Sequence, residues 1–310
     1  MTATPSRPSS VPEIVLGDAA SRPLASPRFE PIRQPMTARS IARLVEKGEP
    51  FACLTCYDAT TARWLQQAGI PVLLVGDTAA EMILGLPSTI HAPLDFLILI
   101  TAAVKRGAPN CLVMADMPFM SYQTSDADGL RNAGRFMTEG LADAVKLEVD
   151  RSFTGLVSKM AHAGVPVVAH LGLRPQHVRR EGGYRFAGRT ASEARELIDA
   201  ARAMEDAGSS MLLLEAMPAE VSEAIVSAVK IPVIGCGAGP ACHGQIVVLQ
   251  DLLGLTPRQP PFAPPLTDGG GHLMDAAAKW ADRVKRRDLG EHPYRMDAGE
   301  MNGLKGVSEG

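Results

Sequence analysis

From Met36 onward, short unbroken apolar runs alternate with longer segments whose apolar residues recur every three or four positions. The short runs, among them "FACLTCYD", "PVLLVGD", "NCLVMAD" and "VPVVAHLG", predict eight strands at 51–57, 71–77, 110–116, 143–148, 165–171, 211–215, 231–236 and 246–251. Most are apolar throughout and do not alternate, as parallel strands covered on both faces should be. The segments between them predict helices, at 37–48, 60–69, 92–107, 126–140, 151–164, 191–208 and 219–230. Gly69, Gly140, Gly164 and Gly208 stand just before strands, where a glycine commonly closes a helix. Eight such units predict an α/β fold, a closed (β/α)8 TIM-type barrel forming one catalytic domain over 37–290. A doubly wound sheet would use about five or six strands and carry a nucleotide fingerprint after the first, which is missing here.

The flanks read differently. Residues 1–36 hold seven prolines with scattered Ser, Arg and Ala, and are expected to form a disordered extension. Residues 255–271, "LTPRQPPFAPPLTDGGG", form a Pro/Gly-rich loop before a final helix at about 273–286, and 291–310 form a weakly patterned tail.

Composition narrows the function classes. The 310 residues are 46% hydrophobic and 21% charged, which suits one large domain. A net charge of −3 and 5% aromatics point away from a nucleic-acid partner. The longest apolar run, "FLILI" at 96–100, falls far short of the roughly 18 residues of a membrane span. The five cysteines do not suggest a disulfide framework, and no secretory leader pattern opens the chain, so a cytoplasmic location is expected. Cys53 and Cys56 match C-x-x-C, but on a strand they face opposite sides and read as two buried thiols.

In a (β/α)8 barrel chemistry gathers at the C-terminal ends of the strands. Here those ends carry Asp58, Asp77, Asp116, Glu148, His170, Glu215 and Asp251, with Lys146 sharing the direction of Glu148 two residues on. One acid alone reads as a helix N-cap, and Asp58 before "ATTARWL" fits that reading. Seven polar ends on one rim are too many to be caps. "LLVGD", "LVMAD" and "VKLE" bring Asp77, Asp116 and Glu148 together, and such carboxylates repel unless a cation or protons intervene. A hard ion such as Mg²⁺ suits an all-oxygen set with water or substrate completing it.

At these residues the chain resembles the ketopantoate hydroxymethyltransferase family. The likeness runs in unbroken order over about 37–254, through "LLVGD", "TAAVKRGAPNCLVMADMPF", "AVKLE", "VPVVAHLGLRPQ", "GGYRFAGR" and "GCGAG…GQ". The resemblance implies transfer of a hydroxymethyl group from 5,10-methylenetetrahydrofolate to 3-methyl-2-oxobutanoate, in pantothenate and coenzyme A biosynthesis. It implies one Mg²⁺ per subunit and a homo-oligomer, usually a decamer. By position Asp77, Asp116 and Glu148 match the metal-binding acids, with Asp77 and Asp116 also at the oxo acid. Lys146 matches the substrate-binding lysine and His170 an active-site histidine. Thr78 stands where a Ser usually contacts the oxo acid, and Glu215 matches the proposed catalytic base.

The loops depart from the family pattern. Val149 and Asp150 replace two glycines, Arg174 and His177 flank the "PQ" pair, and His243 replaces an Asp. "PPFAPP" replaces a basic segment, which is expected to weaken contact with the folate's acidic tail. Three alternatives therefore stand beside the lead reading: a paralogue acting on another oxo acid or one-carbon donor, a related 2-oxo-acid C–C lyase or decarboxylase, and a non-catalytic barrel used in assembly. Absence of the cysteine-bearing loop of many such lyases favours the lead, and joint retention of Asp77, Asp116, Lys146, Glu148 and Glu215 argues against a dead barrel.

Overall fold

The computed structural model describes residues 30–297 and 300. Eight parallel strands close a barrel in sequence order: β1 (Phe51–Thr55), β2 (Val72–Val75), β3 (Leu112–Asp116), β4 (Ala144–Glu148), β5 (Val167–Gly172), β6 (Met211–Glu215), β7 (Val233–Cys236) and β8 (Gly244–Val247). The expected TIM-type barrel is the observed one. The last strand starts earlier than its apolar run suggests, and Leu249–Leu252 is helical. Asp251 therefore sits in that helical turn and does not end a strand.

Two apolar layers follow from the period-2 alternation of side chains along each strand. Phe51, Cys53, Val72, Leu74, Leu112, Met114, Val168, Met211, Leu213, Ile234 and Ile246 fill the barrel interior. Leu54, Leu73, Val75, Val113, Ala115, Leu147 and Leu214 face outward beneath the surrounding helices. Cys53 lies in the inner layer and Cys56 in the outer one, both as free thiols, and burial pushes Cys56 up to about 12.

Local chemistry sets the helix starts. Thr37, Asp58, Ser125 and Thr190 each accept a main-chain N–H three residues on, at 3.2, 2.8, 3.1 and 3.2 Å. Such caps contribute about 1 kcal/mol each. Asp58 is thus a cap, as its sequence context suggests. Gly69, Gly164 and Gly208 adopt positive φ at helix ends, whereas Gly140 does not and Leu141 takes that conformation instead.

Residues 30–36, assigned on composition to a disordered extension, lie across the N-terminal rim. The Ile32 N–H donates to Gln66 O at 3.1 Å, Asn110 Nδ2 donates to Ile32 O at 3.2 Å, and the Met36 N–H donates to Asn110 O at 2.8 Å. Met36 and Ile41 pack against the inner core from below. The rest of that extension, 1–29, lies outside the described residues, as does most of the C-terminal tail. No described helix is long and apolar enough to cross a membrane. The final helix, Gly269–Lys285, buries none of its residues and exposes Leu273, Met274, Trp280 and Val284.

Candidate active site

The alternation that fills the barrel also builds the site. Continuing the inward face past Met114 gives Asp116, past Ala144 gives Lys146 and Glu148, past Val168 gives His170, and past Leu213 gives Glu215. Register sets these side by side, pairing Asp116 with Lys146 and Glu148 with His170. Asp77 is one residue out of phase with Val72 and Leu74. The inward position is Gly76, where an added Cβ would lie 3.5 Å from the Asp116 carboxylate. The chain turns there, and the Asp77 N–H donates to Asp116 Oδ2 at 3.0 Å.

Asp77, Asp116, Lys146, Glu148 and His170 are all at most 6% exposed. Lys146 Nζ lies 2.9 Å from Asp116 Oδ1 and 3.2 Å from His170 Nδ1. His170 Nε2 lies 3.3 Å from Glu215 Oε2, too poorly aligned to count as a hydrogen bond. Glu215 is the open member, with its side chain 23% exposed to the cavity.

Four carboxylates thus face one ammonium in a buried setting. Burial, then the charge of Asp116, pushes Asp77 up to about 7. Burial, then the charge of Asp77, holds Glu148 well above the carboxylate range. Burial alone would lower the Lys146 pKa, but Asp116, Asp77 and Glu148 outweigh it and hold the ammonium above its usual value. Burial, then Lys146, depresses His170, so the imidazole is neutral at pH 7. The Lys146 ammonium has only protons to offer, so Nδ1 is the acceptor and Nε2 carries the hydrogen toward Glu215.

The donor set fits a hard divalent cation. Its atoms are carboxylate oxygens, its charge is negative, and Asp116 Oδ1 is buried without a well-aligned hydrogen bond. Among the described residues no three His, Cys, Asp or Glu side chains are preassembled around a common point. Mg²⁺ uses one or two carboxylates directly and keeps water or substrate oxygens for the rest.

The cavity above this floor measures about 1270 Å³. Pockets of about 300–1,000 Å³ hold a drug-sized ligand, so this one exceeds the needs of a small acid. The segment Thr256–Phe262 forms one wall, and Asp251, Cys236 and Gly237 also line the cavity. Asp251 accepts from Thr256 Oγ1 at 2.5 Å, and the Phe262 ring packs where a side chain at Gly237 would stand. Thr78 also lines the cavity.

Two of the loop departures answer each other. Arg174 Nη1 donates to Asp150 Oδ2 at 2.9 Å, so the added acid and the added base form one rim ion pair. His243 lies at the opposite end of the barrel, where its Nδ1 accepts from the Val233 N–H at 3.0 Å. Gln176, quoted in "RPQ" but given no role from sequence, is 4% exposed and bonded to both Asp77 and Glu148. A neutral loop residue carries no sequence signal for such a place.

A family model described as ketopantoate hydroxymethyltransferase matches residues 35–292. A 3-methyl-2-oxobutanoate hydroxymethyltransferase of Hyperthermus butylicus is 43% identical over 275 residues, covering 88% of this chain and 95% of that protein. One from Alkalilimnicola ehrlichii is 44% identical over 254 residues, covering 82% and 91%. Among solved structures, 2,3-dimethylmalate lyase, a PEP mutase/isocitrate lyase superfamily member, superposes with a TM-score of 0.53 at 17% identity, covering 89% of this chain and 100% of that one. Phosphonopyruvate hydrolase with oxalate and Mg²⁺ superposes with a TM-score of 0.54 at 14% identity, covering 88% and 96%. At that identity these two report the shared barrel alone. The match over nearly the whole barrel, at over two-fifths identity to relatives that are themselves almost fully covered, identifies the chain as a transferase belonging to the ketopantoate hydroxymethyltransferase family.

Proposed function

We propose that the chain transfers a hydroxymethyl group from 5,10-methylenetetrahydrofolate to 3-methyl-2-oxobutanoate, giving 2-dehydropantoate for pantothenate and coenzyme A synthesis in the cytoplasm. The observation that carries this reading is the separation of roles on one barrel rim. Buried acids and Lys146 form a floor, and Glu215 alone stands open beside it.

Asp77, Asp116 and Glu148 would hold Mg²⁺, whose contribution when bound is Lewis-acid stabilisation of the charge that develops on the 2-oxo oxygen. Lys146, fixed by Asp116, offsets the substrate's carboxylate charge. Thr78 borders the same floor, where it would contact the oxo acid. Glu215 takes the proton from C3, with the neutral His170 imidazole 3.3 Å from its carboxylate. The pair of electrons released at C3 forms a bond to the donor's methylene carbon. That carbon leaves its folate nitrogens, water supplies the hydroxyl oxygen, and tetrahydrofolate departs with its nitrogens protonated. The cavity beyond Glu215 has room for the donor, and Arg258 on the Thr256–Phe262 wall offers a cation to its acidic tail.

A homo-oligomer fits the surface. Leu273, Trp280 and Val284 lie on one stripe of the Gly269–Lys285 helix, and no described residue of the chain covers them.

The test is product formation from the two substrates and Mg²⁺, followed by ¹H NMR. Appearance of 2-dehydropantoate, stopped by a chelator, is expected. Cleavage of 2,3-dimethylmalate with no transfer would replace this reading with that of a lyase.

A further inference from the structure

The loop after β5 carries Gln176 under the acids, and every polar atom of its side-chain amide is used. Nε2 donates to Asp77 Oδ2 and to Met117 O, each at 3.0 Å. Oε1 accepts from Gln123 Nε2 at 3.0 Å and shares the single Tyr122 Oη–H, 3.1 Å away, with the Glu148 carbonyl at 2.9 Å. Two donor and two acceptor positions exhaust a primary amide. They also fix its orientation, because a flipped amide would set its oxygen against the Asp77 carboxylate and the Met117 carbonyl. The main-chain N–H of the same residue donates to Glu148, at 3.0 Å to Oε2 and 3.3 Å to Oε1. Tyr122 supports the arrangement from below, where its hydroxyl accepts from the Glu148 N–H at 3.0 Å.

We propose that Gln176 is a positioning residue that sets the carboxylates of Asp77 and Glu148 for capture of a divalent cation. The proposal rests on the cation reading of the site given above. Its physical content lies in the neutrality of the donors. An Arg or Lys at 176 would orient the same carboxylates but neutralise them, and would compete with the ion. An amide and a peptide N–H fix the rotation of each carboxylate and leave its charge in place. One residue thereby ties the ends of β2, β3 and β4 to the loop after β5, so the spacing of two acids from different strands no longer depends on side-chain rotamers alone. Partners that orient a metal ligand in this way typically contribute about 10–100-fold in metal affinity.

The variant that isolates the effect is Gln176→Met, which keeps chain length and apolar bulk, loses the side-chain bonds and retains the main-chain N–H to Glu148. Metal-free full-length protein is titrated with Mn²⁺, and free ion is followed by electron paramagnetic resonance. The Mn²⁺ dissociation constant should rise about 10–100-fold. With Mn²⁺ raised to saturation, C3 proton exchange should recover most of its rate, so the loss lies in the metal requirement and less in kcat. If Gln176→Met does not fold, Gln176→Asn serves, because its shorter amide cannot span Asp77 and Tyr122 together, and it should show the same loss of affinity. A folded variant with a lower melting temperature but wild-type Mn²⁺ affinity would reduce Gln176 to a structural tie and overturn the proposal. Absence of Mn²⁺ binding in the wild type would instead overturn the cation reading, and this proposal with it.

Discussion

Replacing Glu215 with Gln should slow removal of the C3 proton of 3-methyl-2-oxobutanoate by about 10²–10⁴-fold, the usual worth of a general base. The substitution keeps shape and removes only the basic oxygen. Glu215 suits this measurement because it is the least encumbered carboxylate of the site. Asp77 is held by Gln176, Asp116 by Lys146 and the Asp77 N–H, and Glu148 by the Gln176 N–H. Glu215 makes no side-chain hydrogen bond among the described residues, with the His170 imidazole 3.3 Å away, and is partly open to the cavity. Binding of the oxo acid and of Mn²⁺ should survive the change, since neither depends on this side chain. Stopped-flow or NMR exchange rates, with isothermal titration of the oxo acid, separate the two. Retention of the wild-type exchange rate in Glu215→Gln would place the base elsewhere.

The second large effect concerns stability. In Lys146→Met the one ammonium among Asp77, Asp116, Glu148 and Glu215 disappears. Removing one partner of a buried ion pair costs about 3–5 kcal/mol, because the other charge is left uncompensated. For a domain of this size that is on the order of 10 °C in melting temperature. Protonation limits the loss. Asp77 already stands near 7 in the intact site, so lowering the pH lets the acids meet the missing charge with protons. A carboxylate whose pKa is raised on folding stabilises the fold below its unfolded value, and that contribution disappears as pH rises through the folded value. The penalty in Lys146→Met should therefore be larger at pH 8 than at pH 6, and saturating Mg²⁺ should recover part of it. Calorimetry of both proteins at the two pH values reads this directly. Equal melting temperatures for variant and wild type would show that the acids do not depend on Lys146.

The sequence discloses the barrel because parallel strands buried on both faces leave continuous apolar runs, and because the same period that fills the interior delivers Asp116, Lys146, Glu148, His170 and Glu215 to its top. What stays hidden depends on contacts between distant residues. The apolar run at 246–251 looks like a strand, but β8 begins at Gly244 because that residue fits against the Phe51 ring, where a Cβ would lie 2.4 Å away. Residues 30–36 look disordered by composition and are ordered by Gln66 and Asn110, which only the fold brings near. Asp150 and Arg174 look like two separate departures and form one ion pair. Gln176 is invisible for the same reason, since a neutral residue in a polar loop acquires meaning only from the two acids it touches.

The proposed function requires an enolising site that uses a cation, with a separate donor position above it. The most direct measurement follows the C3 proton of 3-methyl-2-oxobutanoate by ¹H NMR in D₂O, with Mg²⁺ or a chelator and with or without 5,10-methylenetetrahydrofolate. Exchange should require Mg²⁺ but not the donor, and conversion to 2-dehydropantoate should follow once the donor is added. A C3 proton that stays in place with Mg²⁺ present, or exchanges equally well with the chelator, would contradict it.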